Sequence, residues 1–255
     1  MLVSTPRGDA RIELHQAKGA KGKVRALLAL GHGAGGDVDA PDLTAVRDAA
    51  VAAGVTVVLI TQPYRVAGRS APAPAGQLDE AWLAVLAHLP DLLPASLVQK
   101  PPKKAAGKAA APAVAKRQAK KTAATASAPA TQASASEADA SVGAMLKVPL
   151  IVGGRSSGAR VACRTAQASG AAGVVTLAFP LHPPGKPERS RDEELRGCGV
   201  PALVVNGDSD PFGVPEPGPG VDLVIIPGAR HDLRKDIAAV AGAVAGWLRD
   251  HGWAA

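Results

Sequence analysis

V-P-L-I-V-G-G-R-S-S-G-A-R, residues 148–160, is the stretch whose reading decides the fold. Val148 to Val152 form an apolar run of strand length, and the residues after it read as a turn into a helix ending near Ala168. The turn holds Gly154-Arg155-Ser156-Ser157-Gly158, a G-x-S-x-G match. A serine on such a strand-turn-helix corner tolerates only small neighbours, and its Oγ projects above the carboxyl end of the sheet. In a chain with 28 glycines the match alone is weakly specific, so the rest of the chain must decide its meaning.

Working outward, short apolar runs alternate with helical patterns. Arg11–His15 predicts an opening strand, Val24–Leu30 a buried strand stopping at Gly31, and Pro41–Ala53 a helix with Leu43, Val46 and Ala50 on one face. Val55–Ile60 predicts a second buried strand. Gln77–Leu89 predicts an amphipathic helix, because Leu78, Trp82, Val85, Leu86 and Leu89 recur at helical spacing. Beyond residue 160, strands are predicted at Val174–Ala178, Ala202–Asn206 and Leu223–Ile226, and a closing helix at Asp236–His251. This alternation predicts an α/β fold, a mostly parallel doubly wound sheet with helices on both faces, in a single domain over residues 1–255. Residues 100–141 interrupt it. They are mainly Ala, Lys, Pro, Ser and Thr, with Val114 as the one branched aliphatic, and bury too little apolar surface to offset ordering entropy. A disordered insertion is expected there.

The net charge of +7 raises nucleic acid as a partner, so its location matters more than its size. Between Leu97 and Gly143, Lys100, Lys103, Lys104, Lys108, Lys116, Arg117, Lys120 and Lys121 stand against Glu137 and Asp139, a net of +6. The remainder is nearly neutral, which argues against a polyanion-binding body. No aromatic residue interleaves the lysines to stack on bases, so the Lys100–Lys121 region reads as a solvated run rather than a nucleic-acid reader. Cys163 and Cys198 form no disulfide framework, and no Cys/His cluster has metal-ligand spacing, so neither metal nor cofactor is expected. With no apolar run near a membrane span and no secretory h-region at Met1–Leu14, a cytoplasmic location without membrane contact is expected; oligomeric state is left open.

Two further loops complete a constellation. After the strand at Ala202–Asn206 comes Gly207-Asp208-Ser209-Asp210-Pro211, and after Leu223–Ile226 comes Pro227-Gly228-Ala229-Arg230-His231-Asp232. Serine, acid and histidine thus succeed one another after separate strands in the order of a hydrolase triad, on loops where a doubly wound sheet gathers its ligands. Ser156 needs a base, His231, to take its proton and return it to the leaving group. Asp210 is the preferred acid to hold the imidazole; Asp208 is the alternative, and Asp232 is read as a cap of the final helix. An oxyanion needs two N–H donors. Ser157 supplies one, and Ala34 or Gly35 the other, from the glycine-rich loop Gly31-His32-Gly33-Ala34-Gly35-Gly36. That loop does not match G-x-G-x-x-G, and His32 within it reads as a loop-ordering residue.

With these residues the chain resembles a small α/β-hydrolase of the dienelactone-hydrolase-like kind, of the bacterial group related to the animal testis-expressed and chromatin-complex α/β-hydrolase-like proteins. The resemblance is carried by 33–36, Gln62-Pro63-Tyr64-Arg65-Val66-Ala67-Gly68-Arg69, 153–160, Phe179-Pro180-Leu181-His182-Pro183-Pro184-Gly185-Lys186-Pro187 and 206–213. It implies an α/β-hydrolase fold with a minimal lid and a hydrolase triad. It implies no substrate.

Arg155, Tyr64, Arg65 and His182 are candidate substrate-contacting residues; with Arg69, Arg160 and Lys186 they could favour an anionic substrate. The alternative role for these cations, pinning loops through carbonyls and carboxylates, is the stronger one. The function expected is that of a serine esterase or thioesterase acting on a small molecule through acyl-Ser156. The alternative is a non-catalytic scaffold of the same fold, contacting a partner or nucleic acid through the insertion.

Overall fold

The structure is a computed structural model that describes residues 1–17, 23–99 and 141–255. The expected insertion therefore lies, all but Ser141, outside the described residues. Its flanks are close together: Val98 and Leu146 form an antiparallel bridge, Gln99 N–H donates to the Met145 carbonyl (2.9 Å) and Lys147 N–H to that of Leu97 (2.8 Å).

One eight-stranded sheet organises the described residues. In chain order its strands are β1 Leu2–Thr5, β2 Gly8–His15, β3 Ala26–Gly31, β4 Val55–Thr61, β5 Leu150–Arg155, β6 Gly173–Leu177, β7 Ala202–Gly207 and β8 Val221–Ile226. They lie in the spatial order β1-β2-β4-β3-β5-β6-β7-β8. From β4 to β8 all pairings are parallel; β1 with β2 and β2 with β4 are antiparallel. The opening strand starts three residues earlier than expected, and the sequence pattern does not predict β1. Leu-Val-Ser-Thr is too short to show a period, and a turn at Pro6 and Arg7 with Gly8 at φ 104° folds it onto β2.

Each central strand is buried on both faces. This is why β3 and β4 read as continuous apolar runs rather than alternating ones. The period of two still sorts their side chains between two cores. Leu27, Ala29, Val58 and Val152 face one layer with Leu78, Trp82 and Val161; Leu28, Leu30, Val57 and Ile151 face the other with Leu43, Val46 and Val244. The first layer contains helices α3 Ala75–Ala87 and α6 Ser157–Ser169, the second α1 Pro41–Ala52 and α8 Ile237–Asp250. Short helical turns, α2 Pro63–Val66, α4 Leu89–Leu92, α5 Val142–Met145 and α7 Asp192–Arg196, complete the set; α7 is the one helix between β6 and β7.

One cap differs from expectation. Asp236, not Asp232, caps α8, its Oδ1 accepting from Ala239 N–H at 2.9 Å. Buried Leu233, at φ 53°, turns the chain, and a 3-10 turn over Arg234–Asp236 postpones the helix, leaving Asp232 to accept from Arg234 N–H. Among the described residues no helix is long and apolar enough to cross a membrane.

Candidate active site

The serine corner is built from glycines. A β-carbon on Gly154 would lie 2.5 Å from the Gly31 carbonyl oxygen, and one on Gly158 2.5 Å from that same oxygen and 2.8 Å from that of His32. β3, β5 and the first turn of α6 therefore approach more closely than any side chain permits. Between the two glycines Ser156 adopts φ 52°, ψ −109°, a sparsely populated conformation costing on the order of 1–3 kcal/mol. The surrounding packing holds it there, and Ser156 N–H donates to the Leu177 carbonyl at 2.9 Å.

The loops after β7 and β8 meet this corner. His231 Nε2 lies 2.8 Å from Ser156 Oγ, and His231 Nδ1 lies 2.8 Å from Asp210 Oδ2. The Asp210 side chain is fully buried while the imidazole keeps 18% exposure, so the acid end is dry and the histidine end is reachable. Asp210 Oδ1 accepts from Phe212 N–H at 2.9 Å, and the Phe212 ring packs on the imidazole at a centroid distance of 4.1 Å. Asn206, at the end of β7 and fully buried, ties the acid loop to the strand-end loop of β6. Its Oδ1 accepts from Phe179 N–H (2.8 Å), and its Nδ2 faces the Phe179 and Gly213 carbonyls (both 3.3 Å) and Asp210 Oδ2 (3.5 Å). Asp208 is exposed instead, accepting from Ser209 Oγ and Gly228 N–H. The fold thus brings Ser156, Asp210 and His231 together and leaves Asp208 and Asp232 outside.

The loop after β3 lies beside the serine, since a β-carbon on Gly33 would come 3.5 Å from that of Ser156. Two side chains hold it. Tyr64 Oη donates to the Ala34 carbonyl at 2.8 Å; His32 Nδ1 lies 2.8 Å from the Gly33 carbonyl, and His32 Nε2 accepts from Gln62 N–H at 3.0 Å. These bonds require the neutral Nδ1–H tautomer of His32, and burial lowers its pKa below the ordinary histidine value. Among the described residues the backbone N–H groups of Ala34, Gly35 and Ser157 donate to no protein acceptor.

The candidate substrate-contacting residues serve the protein itself. Arg155 Nε sits 2.9 Å from Asp42 Oδ2 and Arg155 Nη2 donates to the His231 carbonyl at 3.0 Å, joining the first turn of α1 to the histidine loop. Asp42 is buried, which raises its carboxyl pKa against the opposing pull of Arg155. Tyr64 is 2% exposed and occupied by the Ala34 carbonyl, Arg65 Nη1 donates to the Arg69 carbonyl, and His182 Nδ1 contacts the Pro183 carbonyl. A β-carbon on Gly213 would clash with His182 Nε2, so that ring buttresses the acid loop. Arg160 grips Glu194 through two bonds of 2.7 and 2.6 Å, and Arg164 bridges Glu194 to Asp79, pinning α7 and α3 to α6. Burial would raise the Glu194 carboxyl, but the two guanidiniums outweigh it and hold its pKa below the usual value. The contacts of these cations are those of loop pins. Asn206 and Phe212 fall within the 206–213 stretch that carries the resemblance, but the sequence alone does not single them out as site residues; for Asn206 a polar residue closing a buried apolar strand is the available signal. Among the described residues no group of three or more His, Cys, Asp or Glu is placed to hold a metal ion. Burial pushes the Cys163 thiol well above its ordinary pKa, which leaves it a small core residue rather than a nucleophile.

A family model described as "Alpha/beta hydrolase domain" matches residues 113–238. Among solved structures the chain is similar to an α/β serine hydrolase homologue from Coxiella burnetii (16% identity, 97% of this chain and 96% of that chain, TM-score 0.61). It is similar also to an α/β serine hydrolase without a lid from Xanthomonas campestris (17%, 98% and 93%, 0.62). A dienelactone hydrolase from Anabaena variabilis aligns comparably (17%, 98% and 95%, 0.59). No curated protein matches the sequence. Together with the strand order, these similarities show an α/β-hydrolase fold.

Proposed function

We propose that this chain is a serine hydrolase that cleaves an ester or thioester of a small molecule through an acyl-Ser156 intermediate. The observation that carries the reading is the pair of 2.8 Å contacts running from Ser156 Oγ through His231 to Asp210. In that arrangement His231 Nε2 accepts the hydroxyl proton as Oγ attacks the substrate carbonyl. Asp210 accepts from Nδ1–H, which keeps Nε2 free and stabilises the imidazolium. The oxyanion collects the N–H groups of Ser157 and of Ala34 or Gly35, preorganised donors that need not reorient as charge develops. Collapse of the tetrahedral intermediate expels the alcohol or thiol, protonated by His231. A water deprotonated by the same imidazole then attacks the acyl-serine and releases the acid. The neighbours' descriptions as serine hydrolases and a dienelactone hydrolase support this reaction class. Two unpaired buried cysteines, Cys163 and Cys198, fit a reducing compartment such as the cytoplasm. The test is a panel of short-chain esters and thioesters with Ser156→Ala as blank. At least one member is expected to be hydrolysed with a loss of about 10³-fold or more in the variant; no turnover above that blank across the panel would overturn the reading.

A further inference from the structure

Arg155 ends β5, directly before the proposed nucleophile. By the strand's period of two it shares a face with Ile151, so its side chain leaves the sheet on the side of α1 and α8. One guanidinium there meets three elements. Its Nε lies 2.9 Å from Asp42 Oδ2 in the first turn of α1, its Nη2 donates to the His231 carbonyl at 3.0 Å, and a β-carbon on Gly33, in the loop after β3, would stand 3.0 Å from its Nη1. The arginine thus packs against the loop proposed to bind the oxyanion while it holds the loop that carries the imidazole. Asp42 Oδ1 accepts from Leu43 N–H at 2.9 Å, which fixes the carboxylate to the start of α1.

Little else fixes the histidine loop at that point. Ala229 and Leu233 are buried, but Arg230, Asp232 and Arg234 are exposed, and among the described residues Arg155 is the one hydrogen-bond donor to the His231 carbonyl. The imidazole has to meet Ser156 Oγ and Asp210 Oδ2 at once, each at 2.8 Å. A ring carried on a loop keeps both contacts only while the backbone beneath it is held. A buried ion pair adds little net stability, because desolvation of the two charges offsets their attraction. Direction is what this pair supplies: a guanidinium reaches two acceptors on different elements from one rigid plane, as a lysine ammonium on its flexible stem does not. Resting on the hydrolase reading, we propose that Arg155 is a positioning residue that sets the His231 imidazole between Ser156 and Asp210, and that Asp42 acts through it. Arg155 then serves the reaction without touching the substrate.

The experiment uses the full chain with two esters, 4-nitrophenyl butyrate and the carboxylate-bearing mono-4-nitrophenyl succinate, and reads kcat/KM per folded molecule. A second reading needs no turnover: long-range 1H–15N spectra of the neutral imidazoles, with the His231 signals assigned by their loss in His231→Gln, show which ring nitrogen carries the proton. Wild type is expected to hold His231 as the Nδ1–H tautomer alone. Arg155→Met is expected to lose about 10- to 100-fold in kcat/KM on both esters alike, the scale of a catalytic group misplaced by about 1 Å, and to show a mixture of tautomers. Arg155→Lys, which keeps a cation beside Asp42, is expected to do the same and decides the matter should Arg155→Met not fold. Asp42→Asn has one oxygen for both Leu43 N–H and Arg155, so a smaller loss is expected; in the Arg155→Met background it should add less than about twofold, since both act through one contact. Full kcat/KM and a single tautomer in folded Arg155→Met or in Arg155→Lys would overturn the proposal and leave the hydrolase reading intact. A loss confined to the succinate ester would do so too, by making Arg155 a substrate contact, and losses that multiply in the double variant would remove Asp42 from it. Absence of turnover in wild type, with the tautomer still dependent on Arg155, would instead overturn the hydrolase reading and leave the positioning role. No turnover and no dependence on Arg155 would overturn both.

Discussion

At the scale of residues, Asp210 and Asp208 are separated by burial and direction. Both come after β7, but only Asp210 reaches His231 Nδ1, with its side chain shut away from water. Asp210→Asn keeps an acceptor for Phe212 N–H but can force the imidazole into the wrong tautomer, so kcat is expected to fall by about 10³–10⁴-fold with little change in stability. Asp208→Asn, at an exposed turn, is expected to leave kcat within a few-fold; steady-state assays of the pair read both outcomes. His32 makes a separate prediction. Its folded pKa is depressed below 6.5 by burial, so the unfolded chain binds its proton first as pH falls. Its contribution to stability is complete above pH 6.5 and is lost below it, because protonated Nε2 can no longer accept from Gln62 N–H. Melting temperature measured from pH 7.5 to 5.5 is expected to drop more in wild type than in His32→Gln; parallel curves would contradict this. Ser156, Asp210 and His231 are legible in the sequence because each lies at the end of a strand, in a local pattern. The partners of Arg155 and Tyr64 are not. Long side chains reach residues dozens of positions away, as Tyr64 reaches Ala34 and Arg155 reaches His231, and no local spacing encodes that.

At the scale of elements, the parallel core is readable because strands buried on both faces leave continuous apolar runs, as in β3 and β4. The edge is less so: β1 is four residues long with Leu2 exposed, and only its register against β2 identifies it. The serine corner depends on elements approaching to backbone contact. Gly158→Ala would drive a methyl against the Gly31 and His32 carbonyls, neither a flexible side-chain end, so β3 and α6 must separate. A loss of about 2–4 kcal/mol in urea unfolding is expected. Activity should fall further than stability alone explains, because the Ser157 N–H and the loop after β3 move with the displaced elements. A substitution at Gly76, on α3 with no atom within 4 Å of its β-carbon position, serves as the control and is expected to be tolerated.

At the scale of the whole molecule, the chain enters and leaves residues 100–140 through neighbouring positions joined by backbone hydrogen bonds, so the sheet and the site close without them. Replacing residues 100–140 by a short Gly-Ser linker is expected to leave the melting temperature and the proposed hydrolase activity nearly unchanged, and to remove about +6 of the +7 net charge. A large loss of either would show that the segment supports the folded body. Because Ser156, Asp210 and His231 meet at one end of a single sheet, the proposed nucleophile at Ser156 makes one further demand on the intact protein. The most direct measurement is reaction with a fluorophosphonate, with the modified peptide mapped by mass spectrometry. A serine activated by His231 gives one covalent adduct, on Ser156, absent in Ser156→Ala and strongly slowed in His231→Ala. No adduct on wild type, or equal labelling of Ser156→Ala, would contradict it.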